Sequence, residues 1–189
     1  NGGVDFGMAN GGVLWWPDGN ISDWLSARLL RIGQPGEQVG DVHFGGAAVH
    51  GMNTLSIFSS GTVSQLTGAT IGATALQVTA QSVNLPEANP VGVLAGEATG
   101  GNFNYTSANH INLQTIDGIA GLKNSATFGQ TTLTSGSGFG IGQAAGAPLI
   151  SPSANSSVQL NASGPVVLNQ LSNSIGGYLS ASLTGSGSF

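Results

Sequence analysis

Apolar and polar residues alternate in short runs along most of this chain. The clearest are Leu76-Gln77-Val78-Thr79 and Phe103-Asn104-Tyr105-Thr106, 27 positions apart by residue number. Each is followed within about ten positions by a second alternating piece, Val83-Asn84-Leu85 and Ile111-Asn112-Leu113. A period of two puts successive side chains on opposite faces and marks a strand. Recurrence of such segments at roughly 20–50 residues marks a solenoid or array. The stretch from Ala75 to Gly121 therefore reads as successive coils of a β-solenoid.

The same alternation recurs at Leu30/Ile32, Val42-His43-Phe44, Leu55/Ile57, Val63 with Leu66, Thr131 to Thr134, Val158/Leu160, Val166-Val167-Leu168 and Leu179/Leu183. First members lie 21 to 28 positions apart, a variation that turns absorb. The expected fold is all-β, a parallel β-helix of about seven coils. At about 4.8 Å per strand step the stack is on the order of 35 Å tall. One apolar core runs through it, with Leu76, Phe103 and Val158 in a single interior column. Gly45-Gly46, Gly100-Gly101 and Gly176-Gly177 are expected to turn corners through positive φ. Gly136 to Pro152 is the least patterned stretch, a loop or a thinned coil. Open stack ends carry unpaired backbone, so end-to-end self-association is anticipated.

Residues 1–27 stand apart and hold Trp15, Trp16 and Trp24. They read either as an aromatic cap over an open edge or as a wider first coil, with residues 28–189 forming the solenoid repeats. Pro17-Asp18-Gly19-Asn20 signals a turn. Ser22 to Leu30 fits a short helix with Ser22 as N-cap, but a strand from about Arg28 fits better.

Composition supports a β fold. Charged residues make up 6% of the 189, against roughly 25% in ordinary soluble domains. Helices usually solvate their outer faces with Lys, Glu and Arg, and only Arg28, Arg31 and Lys123 are basic here. The mean hydropathy of +0.17 is too high for a disordered chain. A net charge of −5 disfavours nucleic acid. No run approaches the roughly 18 apolar residues of a membrane helix. Cysteine is absent, which excludes disulfides and thiolate metal sites. The chain opens at Asn1-Gly2-Gly3 with no start methionine or legible secretory signal, as expected of a fragment or processed piece.

Two motifs carry a family resemblance. One is Val39-Gly40-Asp41-Val42-His43-Phe44-Gly45-Gly46-Ala47-Ala48-Val49 with Leu55-Ser56-Ile57 after it; the other is Leu76-Gln77-Val78-Thr79-Ala80-Gln81-Ser82-Val83-Asn84-Leu85. Over about residues 28–185 the chain resembles the repeat region of filamentous-haemagglutinin-type exoproteins, adhesins exported by two-partner secretion. The resemblance implies a right-handed parallel β-helix, secretion, a cell-surface location and adhesion. It transfers no functional residue.

Candidate chemistry is sparse. Asp41 and His43 share a strand face and could begin a metal site; the plainer reading is an outward polar pair on a wall. His50 and His110 are scattered. Gly136-Ser137-Gly138 and Gly185-Ser186-Gly187 lack the context of a nucleophile elbow. Asp5, Asp18, Asp23, Glu37, Asp41, Glu87, Glu97 and Asp117 show no convergence of the kind glycosidases use. Gly11, Gly12 and Asp18 do not make a calcium-binding array, and Thr132-Leu133-Thr134 is the one fragment of an ice-binding ladder. Sequons fall at Asn20, Asn104, Asn155 and Asn161. No catalytic residue, metal or cofactor is expected.

The reading is a non-enzymatic structural segment of a secreted adhesin or extracellular fibre. Its expected partners are copies of itself at the stack ends and a host or cell-surface receptor or glycan. The alternatives are a self-assembling filament subunit and a carbohydrate-active β-helix enzyme or tailspike fragment.

Overall fold

The computed structural model describes residues 28–46 and 48–185, the side chains of 48–52 excepted, together with the backbone of two short N-terminal strands. In chain order the strands are β1 (Val4–Phe6), β2 (Leu14–Trp16), β3 (Leu29–Ile32), β4 (Val42–Phe44), β5 (Ala48–Phe58), β6 (Thr62–Gln65), β7 (Ile71–Ala80), β8 (Ser82–Asn89), β9 (Val93–Ala98), β10 (Phe103–Ser107) and β11 (Ile111–Leu113). There follow β12 (Thr115–Ile116), β13 (Ile119–Ala120), β14 (Leu122–Asn124), β15 (Gln130–Thr134), β16 (Ile141–Gln143), β17 (Leu149–Ser151), β18 (Ser157–Ala162), β19 (Ser174–Ile175) and β20 (Tyr178–Leu183). Among the described residues no helix is long and apolar enough to cross a membrane.

The strands form two large parallel sheets. The first runs β2-β1-β4-β6-β8-β10-β15-β18-β20; the second runs β19-β17-β14-β9-β7-β5-β3, with β11 beside β9 and β16 beside β11. From β3 to β10 the chain alternates between them, and each strand lies next to the following one on the same sheet; beyond that, β11 and β14 both pair with β9, β16 follows on β11, and β17 follows on β14. In-register bonds span 21 positions at His43 and Ser64, 20 at Asn84 and Asn104, and 27 at Thr134 and Asn161.

Register places like on like. On the first sheet Val42, Val63, Val83, Phe103, Thr131, Val158 and Leu179 form one rank. On the second, Leu30, Leu55, Leu76 and Leu94 form another, beside Ile32, Ile57, Val78, Gly96, Leu122 and Leu149. Up to Val158 on the first sheet these ranks face each other and make one continuous core, with Leu179 left exposed at its end.

Three expectations need correcting. Leu76 does not share a column with Phe103 and Val158: all three are fully buried in one core, but Leu76 is on the second sheet and the others on the first. The two alternating segments 27 positions apart thus sit on opposite walls. The missed step is β9, whose Leu94, Ala95 and Gly96 are all buried. A strand covered on both faces loses its alternation.

Of the two readings of Gly136 to Pro152, a loop or a thinned coil, the loop is excluded by two three-residue strands. These are β16 and β17, with Ile141 and Leu149 fully buried. Of the glycine corner pairs, Gly100-Gly101 and Gly176-Gly177 do not adopt positive φ. At Gly176-Gly177 the need is space, because a Cβ on either would collide with the carbonyl of Pro152 or Ser156 in the rung beneath.

One bracket of side chains appears twice. Gln65 Nε2 donates to Ala69 O (3.0 Å) and Asn89 Oδ1 (2.6 Å), and Ile71 N donates to the same Oδ1 (2.7 Å). Gln143 Nε2 donates to Ala147 O (3.1 Å) and Asn173 Oδ1 (2.8 Å), and Leu149 N donates to that Oδ1 (2.8 Å). Gly68 and Gly146, at φ 82° and 74°, occupy the same left-handed place in the two turns.

Tyr105 fills the middle of the core and donates its hydroxyl to Val91 O (2.9 Å). Burial pushes its pKa well above the ordinary value of 10.0. The folded state therefore holds this proton longer than the unfolded chain does. Stability from this group is complete below about pH 10 and falls as pH rises beyond it. Denaturant titrations at pH 9 and 11 should show a drop that is smaller in Tyr105→Phe; equal drops would refute the assignment.

Candidate functional site

The outer faces of the two sheets differ in chemistry. On the first, one outward rank reads His43, Ser64, Asn84, Asn104, Thr132, Gln159 and Ser180. The alternation that sends Val83, Phe103 and Val158 inward sends these outward. His43 Nδ1 bonds Ser64 Oγ (2.7 Å), and Asn104 Nδ2 donates to Asn84 Oδ1 (3.0 Å). A trough of about 450 Å³ lies along this wall, lined by Asn84, Asn102, Asn104, Gln130, Thr132 and Gln159 together with Ser82 and Val83. None of its lining residues is charged. Among the described residues, the Thr132 hydroxyl and the Gln130 side-chain amide have no protein partner.

The second sheet's outer face carries the ions. β12 and β13 form an antiparallel hairpin turned at Asp117-Gly118, with φ of 50° and 84°. Two positive φ values define the turn that suits strand twist, and Asp-Gly is its preferred sequence. The hairpin lies as a strap over the sheet. Arg31 Nε donates to Asp117 Oδ2 (2.8 Å), and its Nη2 pairs with Oδ1. Ser56 Oγ is within 2.5 Å of Asp117 Oδ2 and 2.7 Å of Gln77 Oε1. Beneath the strap Ser56, Gln77 and Ala95 are fully buried although they point outward. Lys123 Nζ pairs with Glu97 Oε1 at 2.9 Å on the same sheet.

The hydrogen bond from Arg31 is the main cause holding the Asp117 carboxyl below its ordinary value of 3.8, with Ser56 adding to it. The stabilisation is present above that value and is lost as pH falls below it. Arg31 is solvent-exposed, so the latch governs local opening more than global stability. In Asp117→Asn, amide exchange across 114–121 should quicken while the unfolding midpoint barely moves. Unchanged exchange would mean that the ion pair does not latch the strap.

The residues singled out from the sequence are dispersed. Asp41 Oδ1 accepts from Thr62 N (2.7 Å), while His43 bonds Ser64; each reaches the next strand, not the other. Among the described residues no three of His, Asp and Glu come together. Desolvation lowers the His110 pKa. The side chains of His50, Asp5, Trp15 and Trp16, and all of Asp18, Asp23 and Trp24, fall outside the described residues. Asn104 and Asn161 sit in mid-strand with side-chain bonds, and Asn155 lies exposed in a turn.

Reading the acids one by one missed the strap, although Thr115-Ile116-Asp117-Gly118-Ile119-Ala120 carries the hairpin signal openly. Comparison with family models, curated proteins and solved structures finds no match.

Proposed function

We propose that this chain is a structural segment of a secreted, cell-surface adhesin of filamentous-haemagglutinin type, built as a right-handed parallel β-helix of about seven coils. The observation that carries the reading is the passage of the chain back and forth between two parallel sheets, strand by strand from β3 to β10, around one core of like-on-like ranks. Parallel strands joined through a crossover are right-handed in nearly all known cases. Such a stack grows by adding rungs without altering those already present, which suits a spacer that projects a binding tip. The motifs around Val42 and Leu76 supply the family resemblance.

The experiment is to express the parent gene in its host and probe intact cells with antibody to this segment before and after protease shaving. Surface signal lost on shaving supports the reading. Signal confined to the cell interior overturns it.

A second reading is a filament subunit joined head to tail. It is favoured by β20, which ends the first sheet with Tyr178 and Leu179 exposed. Concentration-dependent growth in sedimentation velocity, suppressed by Leu179→Lys, would support it; a monomer at all concentrations would exclude it.

A further inference from the structure

We infer that the outer wall of the first sheet is a binding site for a neutral, extended oligosaccharide lying along the stacking axis. The inference gives the proposed adhesin a ligand class, yet it stands on the wall's geometry alone.

The trough's volume of about 450 Å³ falls in the range of small-ligand sites, roughly 300–1,000 Å³. Its chemistry is selective. Amides from Asn84, Asn104, Gln130 and Gln159 present both donors and acceptors, and Thr132 adds a hydroxyl that can do either. A sugar hydroxyl also donates and accepts, so each rung offers it complementary partners. No lining residue is charged. Nothing here would neutralise a phosphate or carboxylate, and a cationic ligand would find no counter-charge.

The spacing suits a polymer. Successive rungs repeat at about 4.8 Å, close to the rise per residue of an extended β-linked hexose chain. Asn84, Asn104, Thr132 and Gln159 occupy four consecutive rungs in register, so successive sugars would meet equivalent groups. The same wall carries an exposed aromatic. Ser157 pairs with Gln130 and Tyr178 with Ser157, so Tyr178 continues the outward rank that passes the trough. The residue is 79% exposed. An aromatic face two strands beyond Gln130, in line with the trough, is what the apolar face of a pyranose stacks on, and Tyr is suited to a half-wet site.

The test uses the purified 189-residue chain and calorimetric titration with cellohexaose, xylohexaose, mannohexaose and chitohexaose, and with hexagalacturonate as the anionic comparison, at low and high salt. At least one neutral hexamer should bind more tightly than its dimer, with affinity unchanged by salt. Asn104→Ala and Gln159→Ala should each weaken binding about three- to tenfold, the effect of one hydrogen bond. Tyr178→Ala should weaken it by a similar factor. Circular dichroism and melting curves check that the variants fold, and Ser153→Ala, on a corner away from the wall, serves as a control that keeps full affinity.

Failure of every neutral hexamer to bind overturns the inference. So does binding that survives the wall variants, or tighter, salt-sensitive binding of hexagalacturonate. The adhesin reading is tested on intact cells, so either result can fail without the other.

Discussion

Asn89→Ala should unfold about 3–4 kcal/mol more easily than the parent, one of the two largest effects expected of any single change described here. Asn89 is fully buried at the bend between β8 and β9. Its Oδ1 accepts from Gln65 Nε2 and Ile71 N, and its Nδ2 donates to Gln65 Oε1 (3.2 Å), Glu87 O (2.8 Å) and Thr106 O (3.1 Å). Truncation strands a backbone N–H and a side-chain amide away from water, at about 1–3 kcal/mol for each unsatisfied group. For a domain of this size the melting temperature should fall by roughly 10 °C. Denaturant melts followed by circular dichroism measure it. Gln65→Leu/Asn89→Leu should recover part of the loss, since removing both partners costs less than removing one. A loss under about 1 kcal/mol in the single variant would mean that the bracket is not holding the corner.

Phe103→Ala should cost about 3–5 kcal/mol, the usual range for a buried aromatic cut to alanine. Its ring crosses the core from the first sheet to the second, where the rank Ile57, Val78, Gly96, Leu122 drops to a glycine. A Cβ on Gly96 would lie 2.8 Å from Phe103 Cε2 and 2.5 Å from Val78 O. The large side chain on one wall is thus matched by a missing one on the other. Gly96→Ala should itself destabilise, and less so in a Phe103→Leu background, because the ring is half of the obstruction. A double-mutant cycle that came out additive would show that the two positions do not touch.

Much of the fold was legible from alternation alone. Val-x-Phe at 42–44, Val-x-Leu at 83–85, Phe-x-Tyr at 103–105 and Val-x-Leu at 158–160 each have one wet face and one dry face, so hydrophobicity flips at every residue. Where the second face is also covered the signal disappears, as in β9 beneath the strap. The bracket has a partial local signature: Gln65-Leu66-Thr67-Gly68-Ala69-Thr70-Ile71 and Gln143-Ala144-Ala145-Gly146-Ala147-Pro148-Leu149 share Gln, Gly, Ala and a closing aliphatic at the same offsets. Its third member is an asparagine supplied from the next rung, 24 positions beyond Gln65 and 30 beyond Gln143, at a separation that no local pattern specifies.

The candidate site divides in the same way. That Asn84, Asn104, Thr132 and Gln159 face water follows from parity with their buried neighbours, and that much belongs to the sequence. That they stand in one uncharged file, with Tyr178 in the rank alongside, depends on register, and register depends on how many residues each turn consumes. Likewise Arg31 and Asp117 lie 86 positions apart, and only the folding back of an inserted hairpin brings them together. The sequence by itself determined that this chain makes strands with an apolar and a polar face, because side-chain alternation is a local property. Which strand lies beside which, which wall each occupies and where the few charges meet were decided by the tertiary structure, because turns of unequal length carry equivalent residues to positions that only stacking aligns.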